Sequence, residues 1–136
     1  MKITIGEFAK HYNSLKFEGI NDKMCVREHI VCADGFAFSC QHSYHHYCNL
    51  YEITSSKYDY EYRKTSNLDI NENTTFEIMF KLCSQRATKK LHKYKCKSES
   101  LYVNVPHDVV IDLINYHGGL KKRWLEKIKQ IFKISA

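Results

Sequence analysis

The stretch HIVCADGFAFSC, residues 29–40, predicts a β-hairpin. Two apolar runs flank the Asp-Gly pair at 34–35, and this pair favours a type I′ turn, which needs positive φ at both central residues. In the second run Phe36, Phe38 and Cys40 alternate with small or polar residues, so one face of that strand is expected to be apolar. The hairpin therefore predicts an antiparallel sheet with one buried face.

Further strands are predicted where aromatic and aliphatic residues alternate with polar ones. They are YDYEYRK at 58–64, TTFEIMFKLC at 74–83 and SLYVNV at 100–105. The polar stretch TSNLDINENTT, residues 65–75, is interpreted as the loop between two of these strands. These segments add further antiparallel strands to the hairpin.

Helices are predicted at both ends of the chain. The residues TIGE at 4–7 have capping-box spacing, and the helix that they begin should end near residues 13–16. Pro106 is placed to start a second helix, and Gly118 can take the left-handed C′ position after it. A third helix is expected over LKKRWLEKIKQIFKI, residues 120–134, whose apolar residues share one face. The order of elements predicts an α+β fold: a mostly antiparallel sheet with an N-terminal helix and two C-terminal helices.

Length and composition predict one globular domain spanning residues 1–136, because 43% of the residues are hydrophobic. The formal net charge of +6 favours anionic partners such as nucleotides, nucleic acid or an acidic protein surface. The sequence contains no run of about eighteen apolar residues and no secretory signal, so we expect a cytoplasmic protein that does not enter a membrane. Its six cysteines are then expected to be thiols.

The stretch CQHSYHHYC, residues 40–48, could be interpreted as a metal site. Zinc would use Cys40, His42, His46 and Cys48 as its four ligands. The spacing C-x-H-x₃-H-x-C matches none of the common zinc patterns, and Cys40 would have to leave its apolar strand face. We therefore expect no metal and no cofactor here.

A catalytic interpretation of the same stretch would use Cys48 as the nucleophile and His46 or His45 as the base. No third orienting residue and no flanking motif of a known thiol enzyme accompany them. Gln41 and the histidines are too polar for a core and too dense for an ordinary surface loop. A pocket or interface wall that offers ring faces and hydrogen-bond donors fits them better, and we expect a protein that is not an enzyme.

Two basic segments leave two functions open. Residues 81–97 carry seven lysines and arginines and no acidic residue, and the helix predicted at the C-terminus is also basic. Such a segment is either a solvated charged surface or a phosphate-binding one. The basic helix could dock on its own core or on a second subunit, or could bind a membrane surface or nucleic acid.

Two blocks of the chain resemble a known family. The first is C-A-D-G-F-x-F-S-x-Q-x-S-x-x-H-Y-C over residues 32–48, and the second is L-Y-V-N-V-P-H-D-V-V-I-D-L-I-N-Y-H-G-G over residues 101–119. Together they resemble a group of small phage and prophage proteins, best represented by the first type of Thoeris anti-defence protein. Residues 49–100 have no counterpart in the family pattern. Asn49 and Leu50 stand where the family has a proline-arginine pair, and His42 stands where it often has alanine.

The resemblance implies a phage-encoded binding protein that acts in the host cytoplasm. Such a protein sequesters a cyclic ADP-ribose isomer made by a TIR-domain enzyme without cleaving it, and some members also hold cyclic oligonucleotides. It implies a homo-oligomer, a dimer or larger, with the ligand pocket at a subunit boundary. The alternative is a small basic inhibitor that binds a nuclease complex or nucleic acid.

The candidate ligand-binding residues combine the two family blocks with nearby cations. Aromatic rings could stack on adenine, amides could bind base edges or ribose hydroxyls, and cations could bind the pyrophosphate. The candidates are Gln41, His45, His46, Tyr47, Arg63, Tyr102, Asn104, Lys121, Lys122 and Arg123.

Overall fold

The structure, a computed structural model, describes residues 2–20, 25–43, 46–49, 68–80, 87–96 and 100–122. The elements in chain order are helix α1 (Ile5–Ser14), strands β1 (Phe17–Ile20), β2 (Cys25–Arg27), β3 (Ile30–Val31), β4 (Ala37–Gln41) and β5 (Thr75–Met79), helix α2 (Lys89–His92), strand β6 (Leu101–Pro106) and helix α3 (His107–Tyr116). Strands β3-β4-β5-β6 form one sheet in that order, and β1 and β2 form a two-stranded sheet. Every strand pair is antiparallel, which confirms the α+β prediction.

The hairpin predicted from residues 29–40 is present as β3 and β4, but its turn differs from the prediction. Gly35 has a φ of 90°, whereas Asp34 is outside the left-handed region. The N–H of Gly35 donates to the carbonyl of Cys32 at 3.0 Å, and the N–H of Cys32 donates to the carbonyl of Phe36 at 2.8 Å. This is a three-residue loop built on a type I turn. The carboxylate of Asp34 accepts from the N–H of Phe36 at 2.9 Å, and this local bond favours the type I geometry.

The apolar face of the four-stranded sheet is covered by α1 and α3. The alternation of apolar and polar residues along the strands predicted this face. Its residues Phe38, Cys40, Phe76 and Ile78 are all fully buried. The ring of Phe8 on α1 meets that of Phe76 edge-on at 5.8 Å between centroids. Each such side chain contributes about 1.5–3 kcal/mol when it is buried. Helix α3 buries Val109, Val110, Leu113 and Ile114 in the same core.

The capping residues predicted from the sequence lie at the ends of helices α1 and α3 in the structure. The Thr4 hydroxyl accepts from the Glu7 N–H at 3.1 Å, and the Glu7 carboxylate accepts from the Thr4 N–H at 3.1 Å, which confirms the capping box. Helix α3 begins directly after Pro106, and Gly118 takes a φ of 89° after its last turn. The guanidinium of Arg27 donates to carbonyls in the last turn of α1, and a cation is favoured there because the helix dipole is negative.

The third predicted helix does not begin at Leu120. Leu120 instead forms a β-bridge with Cys32, and the N–H of Lys121 donates to the carbonyl of Val31 at 3.0 Å. The chain continues extended after its glycine pair because it pairs with the edge of β3. The rest of that predicted helix and the predicted strand at 58–64 lie outside the described residues. No helix in the described ranges has the length and apolarity needed to cross a bilayer.

Candidate functional site

The candidate site lies at a β-bulge between β5 and β6. Phe76 pairs with Val105 and Ile78 pairs with Tyr102, so Glu77 faces two residues of β6. Asn104 lies in the bulge and has a φ of 51°. This value is in the left-handed region, which asparagine tolerates better than most residues. Non-glycine residues in this region occur most often where the surrounding structure holds them, including at functional sites.

The segment of residues 46–49 lies across the bulge on the face of the sheet that points away from the helices. The N–H of Tyr47 donates to the Glu77 carboxylate at 2.9 Å, and the carbonyl of Tyr47 accepts from the N–H of Asn104 at 3.0 Å. The bulge thus frees an N–H of β6, and Tyr47 supplies its acceptor. The Tyr47 side chain remains 44% exposed.

Two more polar residues complete this arrangement. The N–H of Asn49 donates to the Thr75 hydroxyl oxygen at 2.7 Å, and the N–H of Thr75 donates to the Asn49 side-chain oxygen at 3.0 Å. The Thr75 hydroxyl also lies 3.5 Å from the side-chain oxygen of Asn104. We call Tyr47, Asn49, Thr75, Glu77 and Asn104 the outer-face cluster. It combines an exposed aromatic ring with amides, a hydroxyl and a carboxylate.

Two atoms of the outer-face cluster remain available to a ligand. Within the described residues, neither Glu77 Oε1 nor Asn104 Nδ2 has a hydrogen-bond partner. Partial burial raises the pKa of the Glu77 carboxyl, and the bond from the N–H of Tyr47 opposes this shift. The cluster therefore presents an acceptor and a donor beside the Tyr47 ring.

The structure brings Tyr47 and Asn104 together but gives Gln41 other contacts. Gln41 is buried, and its side-chain oxygen accepts from the N–H of Arg27 at 2.8 Å. Its nitrogen donates to the carbonyl of Arg27 at 2.9 Å and to the hydroxyl of Ser39 at 3.0 Å. The amide of Gln41 thus connects strands β4 and β2.

Tyr102 lies on the opposite face of the sheet from the outer-face cluster. Its side chain is fully buried, and its ring lies 5.1 Å from the ring of Phe80. Its hydroxyl has no hydrogen-bond partner within the described ranges, and burial raises the pKa of this phenol. Tyr102 lies before the bulge and faces the core, whereas the extra residue in the bulge places Asn104 on the outer face.

His46 and Cys48 of the stretch CQHSYHHYC, residues 40–48, pack inside the segment that carries Tyr47. His46 is buried and its Nδ1 contacts the hydroxyl of Ser43, while the Cys48 thiol donates to the carbonyl of Ser43 at 3.4 Å. Cys40 keeps its place in the apolar core, where burial raises the pKa of its thiol. Its side chain therefore does not point to the exposed side of the segment.

The lysine pair at 121–122 is exposed but lies far from the outer-face cluster. The backbone of its first lysine is bonded to Val31, which pairs with Ala37 at the start of β4. Glu77 pairs with Gln41 at the other end of the same strand. Ala37 and Gln41 are four positions apart on the strand, roughly 13 Å at about 3.3 Å per residue. The lysine pair is therefore separated from Tyr47 and Asn104 within one chain.

The remaining predicted site residues, His45, Arg63 and Arg123, lie outside the described residues. Sequence reasoning missed Glu77, Thr75 and Asn49. Glu77 and Thr75 could have been found, because both lie on the polar face of a strand that the sequence predicted. Nothing in the sequence placed Asn49 beside Thr75, since 26 positions separate them.

A separate open groove of about 580 Å³ lies between α2, α3 and the N-terminus. Lys2, Lys89, Asp112 and Tyr116 are among its lining residues. None of the predicted site residues that the structure describes borders it. The basic segment contributes Lys89 to this groove. Lys89 lies on the short helix α2, which is capped by the Thr88 hydroxyl that accepts from the N–H of Leu91 at 3.4 Å.

Comparison of the chain with protein-family models, with curated proteins and with solved structures found no match. The geometry of the outer-face cluster and the sequence patterns are therefore the basis for a proposed function.

Proposed function

We propose that this chain is a phage-encoded binding protein that sequesters a nucleotide-derived immune signal, a cyclic ADP-ribose isomer, in the host cytoplasm without cleaving it. One observation carries this proposal. Two residues from separate sequence blocks, Tyr47 and Asn104, are joined by a hydrogen bond of 3.0 Å and both have exposed side chains.

The outer-face cluster has the chemistry that such a ligand requires. An exposed aromatic ring can stack on a base, and such stacking contributes about 1–3 kcal/mol per base. The Asn104 amide and the Thr75 hydroxyl can bind base edges or sugar hydroxyls. The backbones that carry these groups are held by strand pairing and by the bond between Tyr47 and Asn104, so binding has to order only their side chains.

The buried thiols support binding without covalent chemistry. Cys48 is only 3% exposed, and its thiol already donates to a backbone carbonyl. Burial raises the pKa of Cys40 and raises that of Cys32 to about 12, so these two thiols stay protonated at neutral pH. A thiol nucleophile would have to be exposed and ionised.

The separation of the lysine pair at 121–122 from the outer-face cluster supports a homo-oligomer. A ligand with a pyrophosphate needs cations, and no described residue in the cluster carries a positive charge. A second copy of the chain could supply its lysine pair to the cluster of the first. A pocket at a subunit boundary would use residues that one chain keeps apart.

The test is to incubate the purified protein with a lysate that contains TIR-made cyclic ADP-ribose, remove the protein by filtration and heat it. We expect the signal to be depleted from the filtrate and recovered intact from the heated protein. Tyr47→Ala should abolish depletion, because alanine keeps both backbone bonds and removes only the ring. Tyr116→Ala is the matched control, since Tyr116 is 65% exposed on α3.

Each other outcome of this experiment contradicts a stated part of the proposal. Depletion without recovery would indicate cleavage and so an enzyme. Equal depletion by Tyr47→Ala would place the ligand elsewhere on the chain. An untouched signal would reject cyclic ADP-ribose as the ligand and turn the search to cyclic oligonucleotides and then to nucleic acid or protein partners.

A further inference from the structure

The outer-face cluster is chemically unsuited to a phosphate. Its one charged residue is Glu77, whose carboxylate is half-buried and bonded to the N–H of Tyr47 at 2.9 Å. A phosphate placed here would meet a negative charge, and partial burial weakens the screening of that repulsion by water. The charge of the cluster therefore selects a neutral part of a ligand that can donate hydrogen bonds.

The two available atoms of the cluster match a pair of adjacent hydroxyl groups. Glu77 Oε1 can accept from one hydroxyl, and Asn104 Nδ2 can donate to the oxygen of the next. The two residues lie on either side of Tyr47, because the Glu77 carboxylate accepts from its N–H and the backbone N–H of Asn104 donates to its carbonyl. The Tyr47 ring beside them offers an apolar surface for a sugar or a base.

We infer that the outer-face cluster binds the ribose of its ligand through the cis-diol, with Glu77 and Asn104 as the specificity-determining residues. This inference rests on the proposed function and deepens it, because it assigns one ribose of the ligand to this face. The pyrophosphate is then bound by cations outside the cluster. Glu77 acts here as an acceptor for neutral hydroxyl groups and takes no part in proton transfer.

Nuclear magnetic resonance of the full-length protein labelled with ¹⁵N tests this inference with three probes: adenosine, 2′,3′-dideoxyadenosine and inorganic pyrophosphate. We expect adenosine to shift the side-chain NH₂ signals of Asn104 and the backbone signal of Tyr47, with a Kd on the order of 1 mM for so small a ligand. The dideoxy compound and pyrophosphate should leave these signals in place. Tyr116→Ala is again the control and should respond as the wild type does.

Glu77→Gln separates a role in recognition from a role in folding. The glutamine oxygen can still accept from the N–H of Tyr47, which leaves an NH₂ donor where the diol needs an acceptor. We expect adenosine affinity to fall about tenfold while the spectrum of the free protein stays native. Equal affinity of the variant and the wild type would overturn the role of Glu77.

The same titrations give the other outcomes. Equal shifts with adenosine and its dideoxy analogue would mean that the base, and not the diol, is bound, which overturns the inference. Shifts with pyrophosphate, or none with adenosine at millimolar concentration, would overturn it as well. If adenosine shifts these signals while cyclic ADP-ribose is not depleted from a lysate, the proposed function fails and the ribose site stands.

Discussion

The side-chain amide of Gln41 bonds to both backbone groups of Arg27, accepting from its N–H at 2.8 Å and donating to its carbonyl at 2.9 Å. The amide makes the two hydrogen bonds that a residue of a neighbouring strand would make. It thereby links β4 of one sheet to β2 of the other. Arg27 is itself buried, with its guanidinium 4.8 Å from the Tyr12 ring centroid and 4.5 Å from that of Phe17. Gln41 thus helps to fix a buried cation at the end of α1.

We expect Gln41→Leu to lower the free energy of unfolding by about 2–6 kcal/mol. The leucine fills a similar volume but leaves the N–H and the carbonyl of Arg27 buried without partners, at about 1–3 kcal/mol for each orphaned group. Urea unfolding followed by circular dichroism measures the change. A variant with unchanged stability that no longer binds ligand would instead make Gln41 a ligand-binding residue.

Asn104→Gly should keep the fold and remove ligand binding. Glycine adopts the φ of 51° without strain, and its greater freedom in the unfolded chain costs about 0.4–1 kcal/mol. Asn104→Val should lower stability by about 1–2 kcal/mol or more, because a β-branched residue is strained at positive φ. Thermal unfolding of both variants, with the lysate assay on the glycine variant, tests the two effects. Full depletion of the signal by Asn104→Gly would exclude the side chain from the site.

Tyr102→Phe should leave ligand depletion intact and should not lower the free energy of unfolding. The phenylalanine keeps the ring in the core and removes a buried hydroxyl that has no partner in the described part of the chain, a group that costs about 1–3 kcal/mol. Tyr102→Ala is the comparison, and it should lose about 3–5 kcal/mol because it leaves a cavity. Loss of depletion in Tyr102→Phe, with stability kept, would return the hydroxyl to the ligand site.

Local rules predicted much of the fold, because they depend on neighbouring residues. The capping box at Thr4, the Asp-Gly hairpin and the glycine after α3 each involve atoms within a few positions in the chain. The type of turn at Asp34 escaped prediction, because an Asp-Gly pair occurs in loops of both types, which differ in the sign of their backbone dihedral angles. The bond from the N–H of Phe36 to the Asp34 carboxylate accompanies the type I form here.

The candidate site was harder to predict because it depends on pairing between distant segments. Strand alternation alone would place Tyr102 and Asn104 on one face, since two positions separate them. The bulge opposite Glu77 shifts this alternation and places them on opposite faces. Gln41 has an amide that could bind a ligand, yet this amide bonds to the backbone of Arg27. No pattern in the sequence indicated this contact.

The pH dependence of stability gives an independent test of Glu77. Burial raises the pKa of its carboxyl in the folded protein above the ordinary value of 4.5, so the folded state binds this proton more tightly than the unfolded state does. Its contribution to stability is fully present below the unfolded pKa and is lost as the pH rises through the folded pKa. Glu77→Gln removes that loss and keeps an acceptor for the N–H of Tyr47.

We therefore expect the free energy of unfolding of Glu77→Gln, relative to the wild type, to increase with pH from about 4.5 and to level off above the raised folded pKa. Urea unfolding at a series of pH values measures this difference. Glu7→Gln is the control, because the Glu7 carboxylate is exposed at the capping box. A difference that falls as the pH rises through this window would mean that folding stabilises the ionised carboxylate. The bond from the N–H of Tyr47, or a nearby cation, would then outweigh the effect of burial on the Glu77 carboxylate.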